Sequence, residues 1–397
     1  MISAASRPYI DASVPVLRAH GLAVTTTFYR NMFAELPELT NLFNMGNQAS
    51  GVQQQSLASA VFAYAANIGD PAALGPVVNR IVHKHVSVGI RAEHYPIVGR
   101  HLLGAIAETL GDAATPELLA AWEEAYTSLA NLFIQAEKEL YASASVEPGQ
   151  TRPMRVASVT RESDDVVSVR MAPVDGAAAP AFTAGQYVSV TIELEPGYRQ
   201  TRQYSLSDAA DGATLRISVK REDGTGAVAA GQVSNWIHAN VREGSVLQVS
   251  HPFGDFTPDT ETNEPVVLLS AGVGITPMIA ALNRIASINP QRCVIFGVAA
   301  RDAAHHPHKL DLALATAAMP NLRVVTFYET VGDGVEAKAG RMQASQLPSW
   351  PRTETNVYMC GPLPFMQEQW QALLDAGVPE ARLHREVFGP DMLDHLL

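Results

Sequence analysis

The first third of the chain is organised around the sequence LGPVVNRIVHKHV, residues 74–86. Its apolar residues recur every three or four positions, as on one face of an α-helix: Leu74, Val77, Val78, Ile81 and Val82. At about 100° per residue, His85 lies in the middle of this apolar face, whereas His83 lies on the opposite side. Such an imidazole is either a core histidine bonded to a carbonyl or a ligand of something buried. For a histidine considered alone, the first alternative is the more common.

A second helix, predicted over 116–141, has a carboxylate on its apolar face. Glu137 continues a face that is otherwise formed by Tyr126, Leu129, Phe133 and Leu140. A buried carboxylate is costly unless it is paired, so Glu137 requires a partner. A hydrogen bond from His85 would satisfy it and would leave the other ring nitrogen free to bind a metal. Tyr95, on the apolar face of a helix predicted over 94–110, is a candidate third member.

Two further helices, predicted over 14–36 and 53–68, have polar groups on apolar faces. Tyr29 shares a face with Leu22 and Phe33, and Gln53 shares one with Leu57. Ordinary packing with a polar tip that reaches the surface explains either residue equally well when it is taken alone.

The pattern changes near residue 145. Residues 143–153 are rich in Ala, Ser, Pro and Gly and predict a linker. Short alternating runs then predict an antiparallel barrel or sandwich, at 166–171, 186–192, 215–220 and 246–249. From residue 265, a buried strand, a glycine-rich turn and a helix, followed by strands at 293–298 and 357–360, predict a parallel α/β domain.

Short motifs in the middle segment have chemistry suited to a flavin. They are Arg202-Gln203-Tyr204-Ser205, which ends a strand-like run, and Gly231-Gln232-Val233-Ser234. Arginine offers forked donors for a pyrophosphate, tyrosine a ring for an isoalloxazine, and serine a short hydrogen bond. The Gly-x-x-Ser motif precedes a helix predicted to begin near Asn235, where free N–H groups favour phosphate. Each of these motifs alone is a weak signal, and a strand end with a tyrosine is usually only that.

The turn after the first buried strand of the α/β segment predicts a dinucleotide site. It reads Ser270-Ala271-Gly272-Val273-Gly274-Ile275-Thr276-Pro277. Gly272 and Gly274 let the backbone approach a pyrophosphate at a helix N-terminus. Because Pro277 stands where the dehydrogenase form of this motif requires a third glycine, that form is not met. Cys360-Gly361-Pro362 ends a later strand.

The composition excludes several classes of protein. The 397 residues include 28 Lys and Arg against 40 Asp and Glu, a net charge of −12 without a basic cluster, so we expect no nucleic-acid partner. Two cysteines, Cys293 and Cys360, fit a reducing compartment. No apolar run approaches the roughly 18 residues of a membrane span. We therefore expect a cytoplasmic protein without stable membrane insertion; its oligomeric state is left open, with a monomer favoured.

One histidine-rich tract needs a separate interpretation. His305-His306-Pro307-His308 resembles a metal-binding run, but it follows a strand and is predicted to be a solvated loop.

Residues 1 to about 145 resemble the globin domain of the bacterial flavohemoglobin family. The matching residues are Phe28-Tyr29, Pro37-Glu38-Leu39, Leu42-Phe43-Asn44-Met45, Gln53, His83-Lys84-His85 and Tyr95-Pro96-Ile97-Val98-Gly99. The resemblance implies haem b with His85 as the iron ligand, and Tyr95 and Glu137 as its hydrogen-bond partners. It also implies a distal pocket, with Phe43 against the porphyrin and Lys84 near the haem. The distal residues are Tyr29, Gln53 and Leu57.

Four motifs of the middle segment resemble, in this order, the FAD-binding barrel of the ferredoxin–NADP reductase superfamily: Gly185-Gln186-Tyr187, Arg202–Ser205, Lys220-Arg221-Glu222 and Gly231–Ser234. The Gly-x-Gly-x-x-Pro turn and Cys360-Gly361-Pro362 resemble motifs of the same superfamily. This implies FAD in a six-stranded antiparallel barrel, and NADH or NADPH at 272–277, with 360–362 on the nicotinamide side. The C-terminal Glu386-Val387-Phe388-Gly389-Pro390 resembles the family's flavin-covering tail, with Phe388 near the ring and Glu386 near the boundary of haem and flavin.

The combined resemblance implies a three-domain chain: a globin at 1–147, an FAD-binding barrel at 148–259 and an NAD(P)H-binding α/β domain at 260–397. The implied activity is that of a nitric oxide dioxygenase, which converts NO and O2 to nitrate. Whether lipid occupies an apolar distal pocket is left open. Alternatives are an oxygen- or NO-binding sensor or store, and a lipid hydroperoxide reductase. Arg301 and Asp302, near the expected site of the 2′-phosphate, favour opposite nucleotides, so the choice between NADH and NADPH is left open.

Overall fold

A computed structural model describes residues 2–226 and 228–390, apart from the side chains of residues 71 and 72. These residues form two compact units. The first comprises the chain up to residue 150 with residues 195–201 and 389–390; the second comprises residues 151–194 and 202–388. Residues 391–397, which belong to the segment assigned above to nucleotide binding, lie outside the described residues.

The first unit is helical. Its α-helices are α1 (Arg7–Glu35), α2 (Met45–Ala49), α3 (Val52–Ala66), α4 (Pro71–Val88), α5 (His94–Leu110) and α6 (Pro116–Ala144). The five helices predicted from periodicity are therefore present. Helix α1 begins seven residues before the predicted start at 14, because Pro8 occupies its first turn, where proline's missing N–H costs nothing. Helix α2 was not predicted; the Asn44 side chain caps it by accepting from the N–H groups of Gly46 and Asn47.

Three helices of this unit meet around the apolar stripe of α4. Helix α6 packs against both α4 and α5. Side chains that are far apart in the sequence, at positions 85, 95 and 137, therefore come together. Within the described residues, no helix is both long and apolar enough to cross a lipid bilayer.

The segment after residue 150 begins with a six-stranded sheet, which belongs to the second unit except for residues 195 and 198–201. Its elements are β1 (Thr151–Arg161), β2 (Val166–Pro173), β3 (Tyr187–Glu195), β4 (Tyr198–Ser205), β5 (Leu215–Lys220), α7 (Gln232–Asn240) and β6 (Val246–Ser250). The strand order is β4-β3-β6-β1-β2-β5, and a bridge between Leu206 and Ile217 connects its two edges. The predicted linker overlaps β1, which begins at Thr151. Helix α7 begins at Gln232, not near Asn235, because Gly231 is its N-cap.

The rest of this unit is a parallel sheet with helices. It contains β7 (Val266–Ala271), α8 (Ile275–Ile288), β8 (Val294–Ala300), α9 (Lys309–Ala318), β9 (Leu322–Tyr328), β10 (Lys338–Ala339), β11 (Asn356–Cys360), α10 (Leu363–Asp375) and β12 (Leu383–Glu386). The order is β10-β9-β8-β7-β11-β12, with every neighbouring pair parallel. Because parallel strands end on the same edge, the turn after β7 lies beside the end of β11. The predicted order of an all-α part, an antiparallel six-stranded sheet and a parallel α/β part is confirmed.

The prediction of a solvated loop at the histidine tract is wrong. The side chains of His306 and His308 are 3% and 0% exposed. They are buried because each has polar partners inside the protein: His306 Nδ1 lies 2.7 Å from the Tyr328 hydroxyl, and His308 bonds Asp311 and Ser218.

Candidate active site

An ionisable cluster of the first unit joins His85, Tyr95 and Glu137, of which Tyr95 and Glu137 are buried. His85 Nδ1 lies 2.7 Å from Glu137 Oε1 and 3.1 Å from the Tyr95 hydroxyl, and Tyr95 donates to the same carboxylate oxygen. Because a carboxylate only accepts, Nδ1 carries a proton, and in the neutral imidazole the lone pair is on Nε2. Burial and the hydrogen bond to Glu137 raise the pKa of Tyr95 well above its ordinary value.

Packing holds this cluster in place. The ring of Phe133 lies 5.6 Å from that of His85 and is stacked on Tyr95. The Tyr126 hydroxyl donates to the Tyr95 carbonyl at 2.6 Å. The rotamers of His85 and Tyr95 are thus set by aromatic contacts as well as by Glu137.

The remaining nitrogen of His85 fits an iron ligand. No described residue hydrogen-bonds to Nε2, and the His85 side chain is 33% exposed although its neighbour Glu137 is 3% exposed. An imidazole fixed through Nδ1 and open at Nε2 is the arrangement expected of a histidine that binds haem. His83, two residues away on the same helix, lies outside this cluster.

The residues expected on the distal side of the haem also lie close together. Tyr29 is 4% exposed, its ring is stacked on Phe33 and meets Phe43 edge-on at 5.7 Å, and Leu57 packs in the same cluster. Burial raises the pKa of Tyr29 to about 12, and the nearby Gln53 and Gln48 amides lower it in part. The phenol therefore stays protonated at neutral pH and remains a donor.

Gln48 and Gln54 were not singled out from the sequence. Gln54 Nε2 donates to Gln48 Oε1 at 3.0 Å, and Gln48 is 8% exposed. Its Nε2 is buried and has no partner of ordinary hydrogen-bond length among the described residues. No sequence signal marks Gln48, because it lies in a five-residue helix without usable periodicity.

Lys84 points away from the cluster. Its Nζ donates to the Gly389 carbonyl at 2.7 Å, within the first unit. The structure therefore brings it to the chain's last described residues.

The motif residues of the barrel line the end of β4 and the start of α7. Side chains alternate along a strand, so Arg202 and Tyr204 share one face of β4, while Gln203 and Ser205 share the other. Burial of its hydroxyl raises the pKa of Tyr204, which the Arg202 charge partly offsets.

The Gly-x-x-Ser motif forms the first turn of α7. Ser234 Oγ bonds the Gly231 carbonyl and the Glu222 N–H, both at 3.2 Å. Val233 is 1% exposed and packs in the barrel core, so its contribution to a ligand would come from the backbone. Gln232 stands beside it in this turn. Tyr187 pairs with Phe253, and its ring would lie 3.1 Å from a Cβ at Gly254.

The glycine-rich turn and the end of β11 are in direct contact. Gly272 has φ +55°, a conformation that favours glycine. A Cβ at Gly274 would lie 2.3 Å from the Cys360 carbonyl oxygen, and one at Gly361 would lie 2.9 Å from the Ala271 Cβ. The two motifs therefore meet at one edge of the sheet, where the backbone is open to a ligand. The side chains that follow in the turn are buried: Ile275, Thr276 and Pro277. Val273 accepts from Thr276 Oγ1 at 3.1 Å, and Pro362 caps α10.

The C-terminal motif continues from β12. Glu386 is 7% exposed and stands opposite Cys360 in the strand register. Burial, then the Glu386 charge, raises the pKa of the Cys360 thiol well above its ordinary value. Val387 is buried, whereas Phe388 is 45% exposed. Gly389 and Pro390 belong to the first unit, and the expected positions of Phe388 and Glu386 near the cofactors stay predictions.

Comparison with known families covers most of the chain. Residues 26–132 match the globin family, residues 153–257 the oxidoreductase FAD-binding domain, and residues 268–371 the oxidoreductase NAD-binding domain. The chain therefore has haem-, FAD- and NAD-binding domains, and these groups are its cofactors.

Full-length relatives have the same organisation. A flavohemoprotein of Bordetella parapertussis is 48% identical over 400 residues, which cover 98% of this chain and 99% of the relative. The crystal structure of a Malassezia yamatoensis flavohemoglobin with bound FAD and haem superposes with a TM-score of 0.85, at 30% identity, over 98% of this chain and 100% of that chain. The FAD/NAD-binding domain of a Vibrio cholerae nitric oxide dioxygenase is 37% identical, with a TM-score of 0.56, over 60% of this chain and 99% of that chain.

Proposed function

The chain belongs to the flavohemoglobin family, and on this basis we propose that it is a nitric oxide dioxygenase. With electrons from NADH or NADPH, passed through FAD to haem b, it converts nitric oxide and oxygen to nitrate. The coarser assignment, an NAD(P)H-dependent oxidoreductase whose globin domain binds a small gaseous ligand, follows from the matched domains.

One observation supports this activity above the others, namely the contact of His85 with Glu137. A buried carboxylate that accepts a hydrogen bond from the Nδ1–H group gives the imidazole partial imidazolate character. The ring is then a stronger electron donor at Nε2. Strong donation from the proximal side favours activation of oxygen over its reversible storage. This argues against a simple oxygen or NO store.

The chain's own residues divide the work between two sides. On the proximal side, Glu137 and Tyr95 hold the proton of His85 on Nδ1 and fix the ring plane. On the distal side, the protonated Tyr29 and the amide of Gln53 offer hydrogen bonds to a diatomic ligand, and Phe43 and Leu57 exclude water. When bound, haem supplies the iron at which the gases react, and FAD converts a two-electron donor into single electrons.

The reductase residues complete the proposal. We assign FAD to Tyr187, to residues 202–205 and 231–234, and to the tail 386–390. We assign the nicotinamide nucleotide to residues 272–277 and 360–362. The fork-shaped donors of Arg202 and the open backbone of the Gly272 turn suit pyrophosphates. The similar Vibrio domain belongs to a protein described as a nitric oxide dioxygenase, which supports carrying the activity over.

The same proposal includes the domain limits, the cellular location, the oligomeric state and a lipid ligand. Each family match falls inside one of the segments 1–147, 148–259 and 260–397, which supports that division. A cytoplasmic location and a monomeric state fit two cysteines that stand unpaired, one exposed and one buried. Lipid in the distal pocket fits its apolar lining by Phe43 and Leu57.

The test is consumption of nitric oxide by protein loaded with haem and FAD. We expect rapid consumption that requires both NADH or NADPH and oxygen, with nitrate formed in equal amount. A protein that binds both gases, reduces its flavin normally and still fails to consume nitric oxide would be a sensor or store instead. Consumption that continues without oxygen would also contradict the proposal.

A further inference from the structure

A partly buried polar network joins the barrel to the nucleotide-binding part of the second unit. It has members on both sides of that junction: Asp208, Arg216, Ser218, Asn283, His308 and Asp311. The first three belong to the barrel, and the last three to α8 and the start of α9.

Asn283 is the direct connection. Its Nδ2 donates to Asp208 Oδ1 at 2.8 Å and to Asp311 Oδ1 at 2.9 Å. Asp208 comes three residues after Ser205, the residue at which β4 and its flavin motif end. Asn283 lies on α8, the helix that begins at the glycine-rich turn. One amide nitrogen therefore ties the nucleotide helix to the segment that follows the flavin motif.

Arg216 reinforces this connection from β5. Its Nη2 donates to Asp311 at 2.9 Å, and its Nε lies 3.6 Å from Asp208. The side chains of Arg216 and Asp311 are 11% and 13% exposed, so water screens the pair poorly and its geometry is well defined. Strand β5 also contacts the turn at Gly272–Gly274. The same strand thus touches the nucleotide turn and supports the network.

His308, the N-cap residue of α9, is the last member of the network. It has no exposed surface and a φ of 62°, a strained value for a residue with a side chain. Its Nδ1 lies 2.9 Å from Asp311 Oδ2, and its Nε2 lies 2.9 Å from Ser218 Oγ. Fixed contacts at both ring nitrogens hold this conformation.

The network is satisfied without a cation. Glu162, His308 and Asp311 have a spacing that could hold a metal ion. However, both His308 nitrogens and both Asp311 oxygens already have partners, and the Arg216 charge adjoins the site. Burial would raise the pKa of Asp311, but the His308 hydrogen bond, the Arg216 charge and Asn283 outweigh it and lower that pKa. These contacts serve to hold two parts of the protein together.

We propose that Asn283 is a positioning residue for hydride transfer from the nicotinamide to the flavin. The inference rests on the proposed function, in that residues 202–205 hold FAD and residues 272–277 hold the nucleotide. In this step the C4–H bond of the dihydronicotinamide breaks and the N5–H bond of oxidised flavin forms. The hydride takes both electrons, leaving NAD(P)+ and reduced flavin. A displacement of about 1 Å can cost roughly a hundredfold in rate. Because Asn283 fixes α8 relative to Asp208, it controls how close the nicotinamide comes to the flavin and therefore the rate of this step.

The test uses the full chain loaded with FAD, mixed with saturating NADH under argon, and follows flavin absorbance by stopped flow. We expect Asn283→Leu, which matches the side chain in size but removes the donor, to slow flavin reduction about tenfold or more. FAD content and the affinity for NAD+ measured by calorimetry stay unchanged. Hydrogen exchange of the α8 amides becomes faster, a readout that does not depend on turnover.

Asn289→Leu is the matched control. Asn289 lies at the end of the same helix, and its Nδ2 donates to Asn263 at 2.6 Å, away from the network. We expect it to leave flavin reduction unchanged. Equal slowing by the control, or a wild-type rate in Asn283→Leu with faster exchange absent, would overturn the inference.

A second variant guards against failure of the first to fold. Asn283→Gln keeps the donor but displaces it by one methylene, and we expect a smaller slowing with full FAD content. A wild-type rate in this variant would also contradict the inference. Since the assay contains neither oxygen nor nitric oxide, failure of the dioxygenase proposal would leave its result unaffected.

Discussion

Nδ1 of His85 lies 2.7 Å from a carboxylate oxygen of Glu137, across the packed helices α4 and α6. Because Glu137 is only 3% exposed, solvent screens this hydrogen bond little. The carboxylate at Nδ1 therefore increases the electron density that the imidazole donates at Nε2. The dioxygenase proposal depends on this contact, and the first prediction changes it directly.

Glu137→Gln weakens electron donation to the iron. The amide accepts from Nδ1 without a full negative charge, so we expect a lower Fe–His stretching frequency by resonance Raman spectroscopy. The rate of nitric oxide consumption should fall roughly 10- to 100-fold, as for other partners of metal-bound histidines. Glu139→Gln, on the exposed side of the same helix, is the control. An unaltered frequency in Glu137→Gln would count against the proximal network.

His85→Ala removes the proposed iron ligand. We expect loss of haem, seen as loss of the Soret band, while flavin content and reduction of artificial electron acceptors persist. His83→Ala, two residues away on the same helix, should retain haem. Full haem occupancy in His85→Ala would refute the assignment.

Tyr29→Phe removes the distal hydroxyl without changing the ring packing against Phe33 and Phe43. A hydrogen bond of about 1 to 1.5 kcal/mol to the bound ligand would be lost, so oxygen dissociation should be roughly tenfold faster. Displacement of oxygen by carbon monoxide in a stopped-flow instrument measures this rate. Tyr9→Phe, an exposed tyrosine of the same helix, controls for loss of a phenol. An unchanged rate in Tyr29→Phe would place Tyr29 outside the ligand site.

Gly274→Ala should displace the nucleotide turn. The added Cβ would lie 2.3 Å from the Cys360 carbonyl oxygen, where only a backbone shift can relieve the clash. Flavin reduction by NADH should fall about tenfold or more, since small displacements of reacting groups are costly. Gly332→Ala, whose nearest neighbour would be 3.7 Å away, should behave as the wild type. Normal reduction by Gly274→Ala would separate this turn from nucleotide binding.

Asp311→Asn should lower the free energy of unfolding of the second unit by about 1 to 3 kcal/mol near neutral pH, because buried donors lose a charged acceptor. The pKa of Asp311 is lowered in the folded protein. Its contribution is therefore full above the unfolded value of about 3.9 and disappears as the pH falls through the lower folded pKa. Urea unfolding of both proteins from neutral to acidic pH should show the difference shrinking below that value. The exposed Asp333 provides the control substitution, Asp333→Asn. A difference that stays constant with pH would show that the carboxylate charge plays no part.

Local pattern was sufficient for much of the candidate site. Periodicity distinguished His85 from His83, because two positions two residues apart on a helix face opposite sides. It also placed Glu137 on an apolar face, and the cost of a buried carboxylate indicated a partner. The order of strand, glycine turn and helix predicted the nucleotide turn, since this backbone conformation depends on neighbouring residues alone.

Other features depend on residues that are distant in the sequence. Gln48 meets Tyr29 because α2 packs against α3, which itself packs against α1. A five-residue helix has too few positions to show which side faces inward. His308 was predicted to be solvated because its tract follows a strand and was interpreted as a loop. It is buried because Asp311 and Ser218, the latter 90 residues earlier, supply its hydrogen bonds.

Patterns within the sequence predicted the helical, antiparallel and parallel parts of this protein and, on its longer helices and strands, the side chains that face inward. These follow from the period of the apolar residues and from the cost of burying polar groups, both of which act over a few residues. Which buried polar groups form hydrogen bonds with one another depends on how the elements pack. The Glu137 carboxylate could have been paired by any donor on a facing helix, and Asn283 by any acceptor near α8. The packing of α4 on α6, and of α8 beside Asp208 and Asp311, selected His85 for the first and those two carboxylates for the second.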